Sequence, residues 1–269
     1  MPSAWTDLTR PPLSESRLQR RLGDGRVWQQ IRVVTSTEST NADVAAEARA
    51  GAAEGLVVIA EQQTGGRGRL ARSWESPPRA GVYVSVLLRP TPPAARWPLL
   101  TLLTGLAVVE AVVGVGRIEA RLKWPNDVLV GGQKLAGILA ERVDDAVVVG
   151  VGVNVSTRPD ELPAGATSLA IAGGVTDREI IAAELLRSLR RRYEEWRDTD
   201  GAAASVLPTY RQMCETIGSD VTVELPGGQV VMGVASGVDD DGRLVVQETA
   251  SGPPRSFTVG DVTHVRRPA

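Results

Sequence analysis

Short apolar runs separated by turn residues predict a β-rich fold over residues 27–155. The runs are rich in valine, isoleucine and leucine and have the length of strands. The predicted strands cover residues 27–35, 56–60, 80–88, 118–124, 128–130, 137–143 and 146–155. Two helical segments, 42–50 and 98–113, interrupt the series, and Pro98 suits the first turn of the second. Strands and helices in this order predict an α+β domain with a mixed β-sheet flanked by helices.

A long amphipathic helix is predicted from Asp177 to Trp196. Its apolar residues recur at helical spacing, at positions 180, 181, 185, 189, 193 and 196. The run Arg190-Arg191-Arg192 is interpreted as a solvated face of this helix and not as a binding site.

The pattern changes after Cys214, where short alternating strands follow one another with tight turns. These strands are predicted at residues 220–225, 229–238, 243–248, 256–259 and 262–265. Five short strands in about fifty residues predict a small β-barrel. The chain is therefore divided into an N-terminal arm (1–26) with one short helix at 14–22, a main domain (27–216) and a C-terminal domain (217–269).

Composition narrows the functional classes. The 269 residues are 42% apolar, and 30 basic residues nearly balance 32 acidic ones, which argues against bulk binding to nucleic acid or a membrane surface. One cysteine and one histidine leave no disulfide framework and no cluster of soft metal ligands. The longest apolar stretch, 99–115, is interrupted by Glu110, and the arm is too short for a three-helix DNA-reading unit. A cytoplasmic protein is expected.

Two stretches carry the candidate chemistry. The loop TGGRGRLARSW at 64–74 places three arginines among glycines, which is typical of an anion-binding segment, and a phosphate ester is the expected anion. A match of this loop to the dinucleotide-binding fingerprint fails, because residues 72–78 cannot open a helix. We expect the loop to be a mobile lid that an anionic ligand orders.

The second stretch is LKWPNDVLVGGQKLAGI at 122–138. All but two of the 30 basic residues are arginine, and both lysines, Lys123 and Lys134, lie here. A compact ammonium group differs from a guanidinium, so the placement indicates a function, with chance clustering as the alternative. The sequence GVGVN at 150–154 predicts a buried strand whose glycines let a flat ring or a backbone lie close.

Together these motifs resemble the biotin protein ligases. The resemblance rests on STN at 39–41, Gln63, GRGR at 66–69, KWPND at 123–127, KLAGI at 134–138 and GVGVN at 150–154, and it extends over residues 30–266. It implies a catalytic domain of the class II aminoacyl-tRNA synthetase-like kind and a C-terminal SH3-like barrel. Ala71 departs from the family, in which many members carry glycine, and a DNA-binding unit before residue 27 is not expected.

The same resemblance implies roles for individual residues. Biotin would be bound by Ser39, Thr40, Asn41, Gln63, Gly66, Arg67, Gly68, Arg69, Lys134 and Gly137. ATP would be bound by Arg67, Arg69, Arg72, Trp74, Asn126, Lys134 and Asn154. The catalytic residues would be Lys134, Arg69 and Asp127. No metal site of the protein's own is implied, since Mg²⁺ would arrive with ATP.

The implied reaction joins biotin and ATP into biotinyl-5'-AMP with release of pyrophosphate. Biotin is then transferred to a lysine of the carrier domain of acetyl-CoA or acyl-CoA carboxylase. The resemblance implies a monomer or weak homodimer with no nucleic-acid or membrane partner. Two alternatives remain open: a lipoate protein ligase of the same fold, and a non-catalytic biotin-sensing regulator.

Overall fold

A computed structural model describes residues 7–23, 27–248, 252–258 and 260–264. The outer part of the N-terminal arm and the last residues of the two final predicted strands, 259 and 265, lie outside the described residues.

A seven-stranded mixed sheet forms the centre of the main domain. Its strands are β1 (Gln30–Val34), β2 (Leu56–Ala60), β3 (Gly81–Leu88), β4 (Arg121–Lys123), β5 (Asp127–Val130), β6 (Gln133–Val143) and β7 (Ala146–Asn154). They lie in the order β1-β2-β3-β7-β6-β5-β4. β1 and β2 are parallel and the other neighbours are antiparallel, which confirms the predicted mixed sheet.

Helices cover both faces of this sheet. They are α1 (Glu15–Leu22), α2 (Thr40–Arg49), α3 (Leu99–Gly114), α4 (Arg178–Asp198) and α5 (Leu207–Met213). α2 packs on one face, whereas α1, α3 and α4 belong to the larger core on the other. None of the described helices is both long and apolar enough to cross a membrane.

The arginine run of α4 is not simply solvated, as the sequence suggested. Arg191 and Arg192 both form ion pairs with Glu110 of α3, and the side chain of Arg192 is mostly buried. The helix pattern identifies the outward face of α4 but cannot show that α3 presents a carboxylate to it. Glu110, which interrupts the apolar stretch, is therefore a packing contact between two helices.

The C-terminal domain is an antiparallel sheet of five strands. They are β8 (Asp220–Glu224), β9 (Val230–Val238), β10 (Leu244–Glu248), β11 (Arg255–Phe257) and β12 (Asp261–His264). Their order is β11-β10-β9-β8-β12, so among the described residues the ladder begins and ends at different strands and no closed barrel is present. The strand-rich domain is confirmed, and closure into a barrel stays a prediction.

Trp124 joins the two domains. Its indole Nε1 donates to the carbonyl of Gly242 at 2.9 Å, and its backbone N–H donates to Thr216 Oγ1 at 3.0 Å. The turn containing Gly242 also lies against Leu99 and Leu102 of α3. One apolar core therefore continues from the main domain into the C-terminal sheet.

The described part of the N-terminal arm is anchored by a buried arginine. Arg10 is only 3% exposed; its guanidinium donates to both carboxylate oxygens of Glu161, at 3.0 and 2.6 Å, and to the carbonyl of Ser156 at 2.7 Å. Burial alone would raise the pKa of Glu161, but hydrogen bonds from Arg10 and from the Arg158 backbone hold it below its usual value. Within the arm, the described residues 7–23 are thus packed against the main domain.

Candidate active site

The start of α2 presents a cluster of hydrogen-bonded side chains to a pocket. Ser39 caps the helix, and its hydroxyl accepts from the Ala42 N–H at 3.4 Å. The backbone N–H and the hydroxyl of Thr40 both donate to Gln63 Oε1, at 2.9 and 3.0 Å. Capping of the helix and display of side chains toward the pocket therefore occur together at this helix N-terminus.

The cluster continues to Asn41 through a residue that the sequence analysis did not select. The Ser85 hydroxyl lies 2.7 Å from Thr40 Oγ1 and 2.6 Å from Asn41 Oδ1. Asn41 Nδ2 in turn donates to Glu141 Oε2 at 2.7 Å. These contacts fix the orientation of the amide beside the pocket.

Two glycines of β7 make room for the groups above them. A Cβ at Gly150 would lie 2.1 Å from Asn41 Oδ1, and a Cβ at Gly152 would lie 2.4 Å from the indole of Trp74. The sequence analysis expected a flat ring or a backbone close to this strand, and the structure places the protein's own Trp74 ring there. Trp74 Nε1 is buried against Gly152 and has no hydrogen-bond partner among the described residues.

The arginine loop is closed by its own backbone. The Gly68 N–H donates to the Arg72 carbonyl at 2.7 Å, and the Trp74 N–H donates to the Gly66 carbonyl at 2.8 Å. At the tip, Leu70 has a positive φ of 55° and is 53% exposed. The described conformation is thus a folded loop, and the ordering of this loop by a ligand stays a prediction.

Arg67 and Arg69 extend from this loop along the pocket. Arg69 Nη1 donates to Asn126 Oδ1 at 3.3 Å, and Arg67 Nη2 lies 3.6 Å from Glu141 Oε2. Burial lowers the pKa of Arg69, although Asp127 opposes that change. A partly desolvated guanidinium of this kind interacts strongly with an incoming anion.

Lys134 and Asp127 form an ion pair within the pocket lining. Lys134 Nζ is 2.7 Å from Asp127 Oδ1 and 5.5 Å from the centre of the Trp74 ring. Gly137 permits this arrangement, because a Cβ there would lie 3.0 Å from Trp74 and 3.4 Å from Lys134 Cε. The lysine, the carboxylate and the indole thus converge on one region.

Arg72 connects the loop to the C-terminal domain. Its guanidinium forms a two-bond ion pair with Asp261 of β12, with Nη1 to Oδ1 at 3.2 Å. This hydrogen bonding raises the pKa of Arg72 and lowers the pKa of Asp261. The resemblance to biotin protein ligases implies that Arg72 binds ATP. In the described structure its partner is the carboxylate of Asp261.

One pocket gathers the candidate residues named from the sequence, except Gly66 and Asn154. Gly66 instead fits against the Trp74 carbonyl, which a Cβ would approach to 2.5 Å. Asn154 is 4% exposed, and its amide donates to the Thr167 carbonyl at 3.0 Å. The structure thus does not bring Asn154 into the pocket: it lies at the end of β7, and its side chain turns toward the 167 loop.

Three residues at or beside the pocket, Ser85, Glu141 and Asp261, had little or no sequence signal. Ser85 is the one polar residue in the apolar strand GVYVSVLL, which is a usable signal. Glu141 and Asp261 look like ordinary surface acids, and only strand pairing and domain packing bring them to the site.

Electrostatically, the pocket favours an anionic ligand. Its lining contains five cationic side chains, Arg67, Arg69, Arg72, Lys123 and Lys134, against the carboxylates of Asp127 and Asp261. Among the described residues there is no group of three or more His, Cys, Asp or Glu side chains able to hold a metal ion. The arrangement can therefore bind phosphate and carboxylate groups and stabilise charge that moves between them.

Comparisons with known proteins place two parts of the chain in characterised families. Residues 31–156 match the Biotin/lipoate A/B protein ligase family, and residues 216–265 match the Biotin protein ligase C terminal domain. The chain is 46% identical to the biotin--[acetyl-CoA-carboxylase] ligase of Mycobacterium tuberculosis, over 97% of this chain and 98% of that protein. It is 34% identical to the bifunctional ligase/repressor BirA of Bacillus subtilis, over 87% of this chain and 74% of that protein.

A solved structure shares the fold. The biotin protein ligase from Aquifex aeolicus in complex with biotin and ATP aligns with a TM-score of 0.76 and 27% identity, covering 89% of this chain and 100% of that one. Fold and site thus define an enzyme of the biotin and lipoate ligase class. Within that class, the chain belongs to the biotin protein ligase family.

Proposed function

We propose that this enzyme activates biotin with ATP as biotinyl-5'-AMP and then transfers the biotinyl group to a lysine of a carboxylase carrier domain. The observation that carries the proposal is the Lys134–Asp127 pair, at 2.7 Å, in a pocket that is also lined by the polar side chains of Thr40, Asn41 and Gln63 and by further cations. Support comes from the Aquifex aeolicus relative, whose complex contains biotin and ATP, and from the name of the Mycobacterium tuberculosis relative.

The first step brings two anions together. An oxygen of the biotin carboxylate attacks the α-phosphorus of ATP, and the bond to the bridging oxygen of the β-phosphate breaks as pyrophosphate leaves. No proton has to move, so fixed positive charge matters more than a general base. Arg67, Arg69 and Lys134 supply that charge around the reacting groups.

The second step acylates an amine. The carrier lysine must lose a proton before it attacks the mixed anhydride, and AMP then leaves. Asp127 is the carboxylate of the pocket beside Lys134 and is assigned the role of orienting this amine and accepting its proton. The Thr40, Asn41 and Gln63 cluster is assigned to the uncharged biotin head group, and Trp74 to the ATP side.

Mg²⁺ belongs to the substrate in this proposal. The described residues lack a cluster of acidic or imidazole ligands, which fits an ion that is held mainly by ATP phosphates and water. The residues of the chain then contribute positioning and charge.

A pyrophosphate-release assay tests the proposed function directly. The purified chain is incubated with ATP and either biotin or lipoate, and then with an acetyl-CoA carboxylase carrier domain. Biotin-dependent release followed by carrier labelling is expected. Release with lipoate alone would identify a lipoate ligase, and biotin binding without any release would identify a non-catalytic sensor.

A further inference from the structure

Lys123 is a pocket cation that the proposed mechanism does not use. It lines the pocket and is partly buried, yet among the described residues no carboxylate forms an ion pair with its Nζ. Its charge nevertheless reaches the C-terminal domain, where it adds to the Arg72 hydrogen bond in lowering the pKa of Asp261 and to burial in lowering the pKa of His264. A partly desolvated ammonium group without a paired carboxylate is a candidate ligand for an anion.

The position of Lys123 follows from strand register. One transverse row of paired residues crosses the sheet, from Gly152 on β7 to Gly137 on β6, Asp127 on β5 and Lys123 on β4. Directly paired residues present their side chains on the same face, and neighbouring strands are about 4.8 Å apart. Lys123 therefore lies at the β4 end of the pocket floor, roughly 14 Å from β7 by that spacing.

The groups across the sheet lie in a definite order from β7 to β4. The Asn41 amide lies over Gly150 of β7, two residues along the strand from Gly152. Lys134 of β6 and Asp127 of β5 form their ion pair in the middle. Lys123 follows at the other end, on the side of the C-terminal domain.

The reaction requires its leaving group at the end opposite to its nucleophile. Phosphoryl transfer proceeds with the attacking and leaving oxygens in line through phosphorus. With the biotin carboxylate arriving from the Asn41 side and the α-phosphate beside Lys134, the pyrophosphate points toward β4. We propose that Lys123 binds this departing pyrophosphate and neutralises the charge that develops on it as the bond to the α-phosphorus breaks. This inference rests on the proposed function.

A lysine suits this task better than the arginine that the chain uses almost everywhere else. The ammonium group is a compact charge with three rotatable donors, so it can follow a phosphate that moves away from the α-phosphorus. Asp261, close by and held by Arg72, limits the positive charge at this end and so favours release of the product.

Pyrophosphate takes part in the first half-reaction and not in the second. Measuring each half-reaction by itself therefore distinguishes a role in pyrophosphate binding from a general effect on the enzyme. Lys123→Met keeps an unbranched side chain one atom shorter and removes its charge, and Lys123→Arg keeps the charge. Arg121→Met removes a charge from an exposed position of the same strand outside the pocket lining. In biotin-dependent ATP–pyrophosphate exchange, Lys123→Met is expected to lose about 10-fold or more in kcat/KM for ATP. Transfer from supplied biotinyl-5'-AMP to the carrier domain involves no pyrophosphate and should stay within about 2-fold of wild type, while Arg121→Met changes neither step.

His264 provides a second readout that needs no turnover. It is the single histidine of the chain, and its Nε2 lies 3.1 Å from Thr216 Oγ1, so its imidazole NMR signals are unambiguous. Burial and the charge of Lys123 lower its pKa, so a folded Lys123→Met variant should show a higher His264 pKa. Inorganic pyrophosphate added to the wild-type chain should shift these signals, and Lys123→Met should abolish the shift.

The results distinguish a wrong assignment of Lys123 from a wrong proposed function. Exchange that survives in Lys123→Met, an equal loss in both half-reactions, or an unchanged His264 response to pyrophosphate would each overturn the assignment of Lys123. A wild-type chain without any biotin-dependent exchange would instead refute the proposed function, and the inference with it.

Discussion

Gly150 and Gly152 lie where the pocket floor leaves no room for a methyl group. Gly150→Ala would press on Asn41, and Gly152→Ala on Trp74, because the added Cβ atoms would lie 2.1 and 2.4 Å from those side chains. Overpacking of this kind costs about 1 to 3 kcal/mol. We expect Gly150→Ala to weaken biotin binding by about 10-fold or more, and Gly152→Ala to act chiefly on the KM for ATP.

Calorimetric titration with biotin and steady-state kinetics with ATP check this pair. Gly237→Ala in β9 is the matched control, since a Cβ there meets nothing within 4 Å. If both pocket variants changed the binding of both ligands equally, Gly150 would not be specific to biotin and Gly152 would not be specific to ATP.

Lys134→Ala should remove a contact to the reacting groups and leave the stability of the fold nearly unchanged. The rate of adenylate formation should fall by about 10² or more, as expected when a preorganised charge is lost. The side chain is 37% exposed, so its ion pair with Asp127 contributes little to stability and Tm should hardly change. ATP–pyrophosphate exchange within a few-fold of wild type would make Lys134 a structural residue.

Residue identity alone revealed part of this site. The rarity of lysine pointed to Lys134, and glycine spacing pointed to a ring against β7. Ser85 and Glu141 escaped because their function depends on β3 and β6 lying under the start of α2, a contact between residues more than 40 positions apart. Asn154 lies outside the pocket lining and bonds to the Thr167 carbonyl, which a strand pattern could not show, since it does not say which neighbour the last side chain of a strand will bond.

At the scale of elements, one buried ion pair, Arg10–Glu161, is among the contacts that anchor the N-terminal arm. Arg10→Met would leave Glu161 without its main partner and should cost about 3 kcal/mol of unfolding free energy, since breaking a buried pair is strongly destabilising. Arg158→Met is the control: that side chain is 56% exposed and pairs with Asp7, so about 0 to 1 kcal/mol is expected. Urea denaturation measures both, and equal losses would contradict the special role of Arg10.

The same pair sets a dependence on pH. Because the folded-state pKa of Glu161 is below its usual 4.5, its contribution is complete above pH 4.5 and is lost as pH falls through the folded pKa. The stability difference between wild type and Arg10→Met should therefore shrink in acid. A stability difference that did not change with pH would show that Arg10 stabilises the fold through packing and not through its charge.

Element boundaries show where sequence patterns stop being informative. β6 was expected from residue 137 but begins at Gln133, because Lys134 pairs its backbone with Leu129 and also bonds to the 165–167 loop. Because the first residues of β6 are polar, the apolar pattern does not show where this strand begins. α5 was missed for a related reason, since it is seven residues long and contains a proline near its start.

At the scale of the whole molecule, Trp124 ties the sheet of the main domain to the C-terminal domain. Trp124→Phe removes its hydrogen bond to Gly242, which is 118 residues away in the chain, and should expose the junction to protease. Trp97→Phe removes a similar bond to the Pro92 carbonyl, five residues away, and should not. Limited proteolysis with mass spectrometry compares the two, and release of a C-terminal fragment from both or from neither would argue against the junction role.

The shortage of lysine has a practical consequence for handling the protein. Reagents that couple through primary amines, including those used to fix proteins on biosensor surfaces, find in this sequence only the N-terminal amine, Lys123 and Lys134. Both lysines line the pocket, so any side-chain coupling attaches the molecule by its own binding site. A surface prepared through carboxylates or a tag would present an open pocket, whereas an amine-coupled one would under-report every ligand.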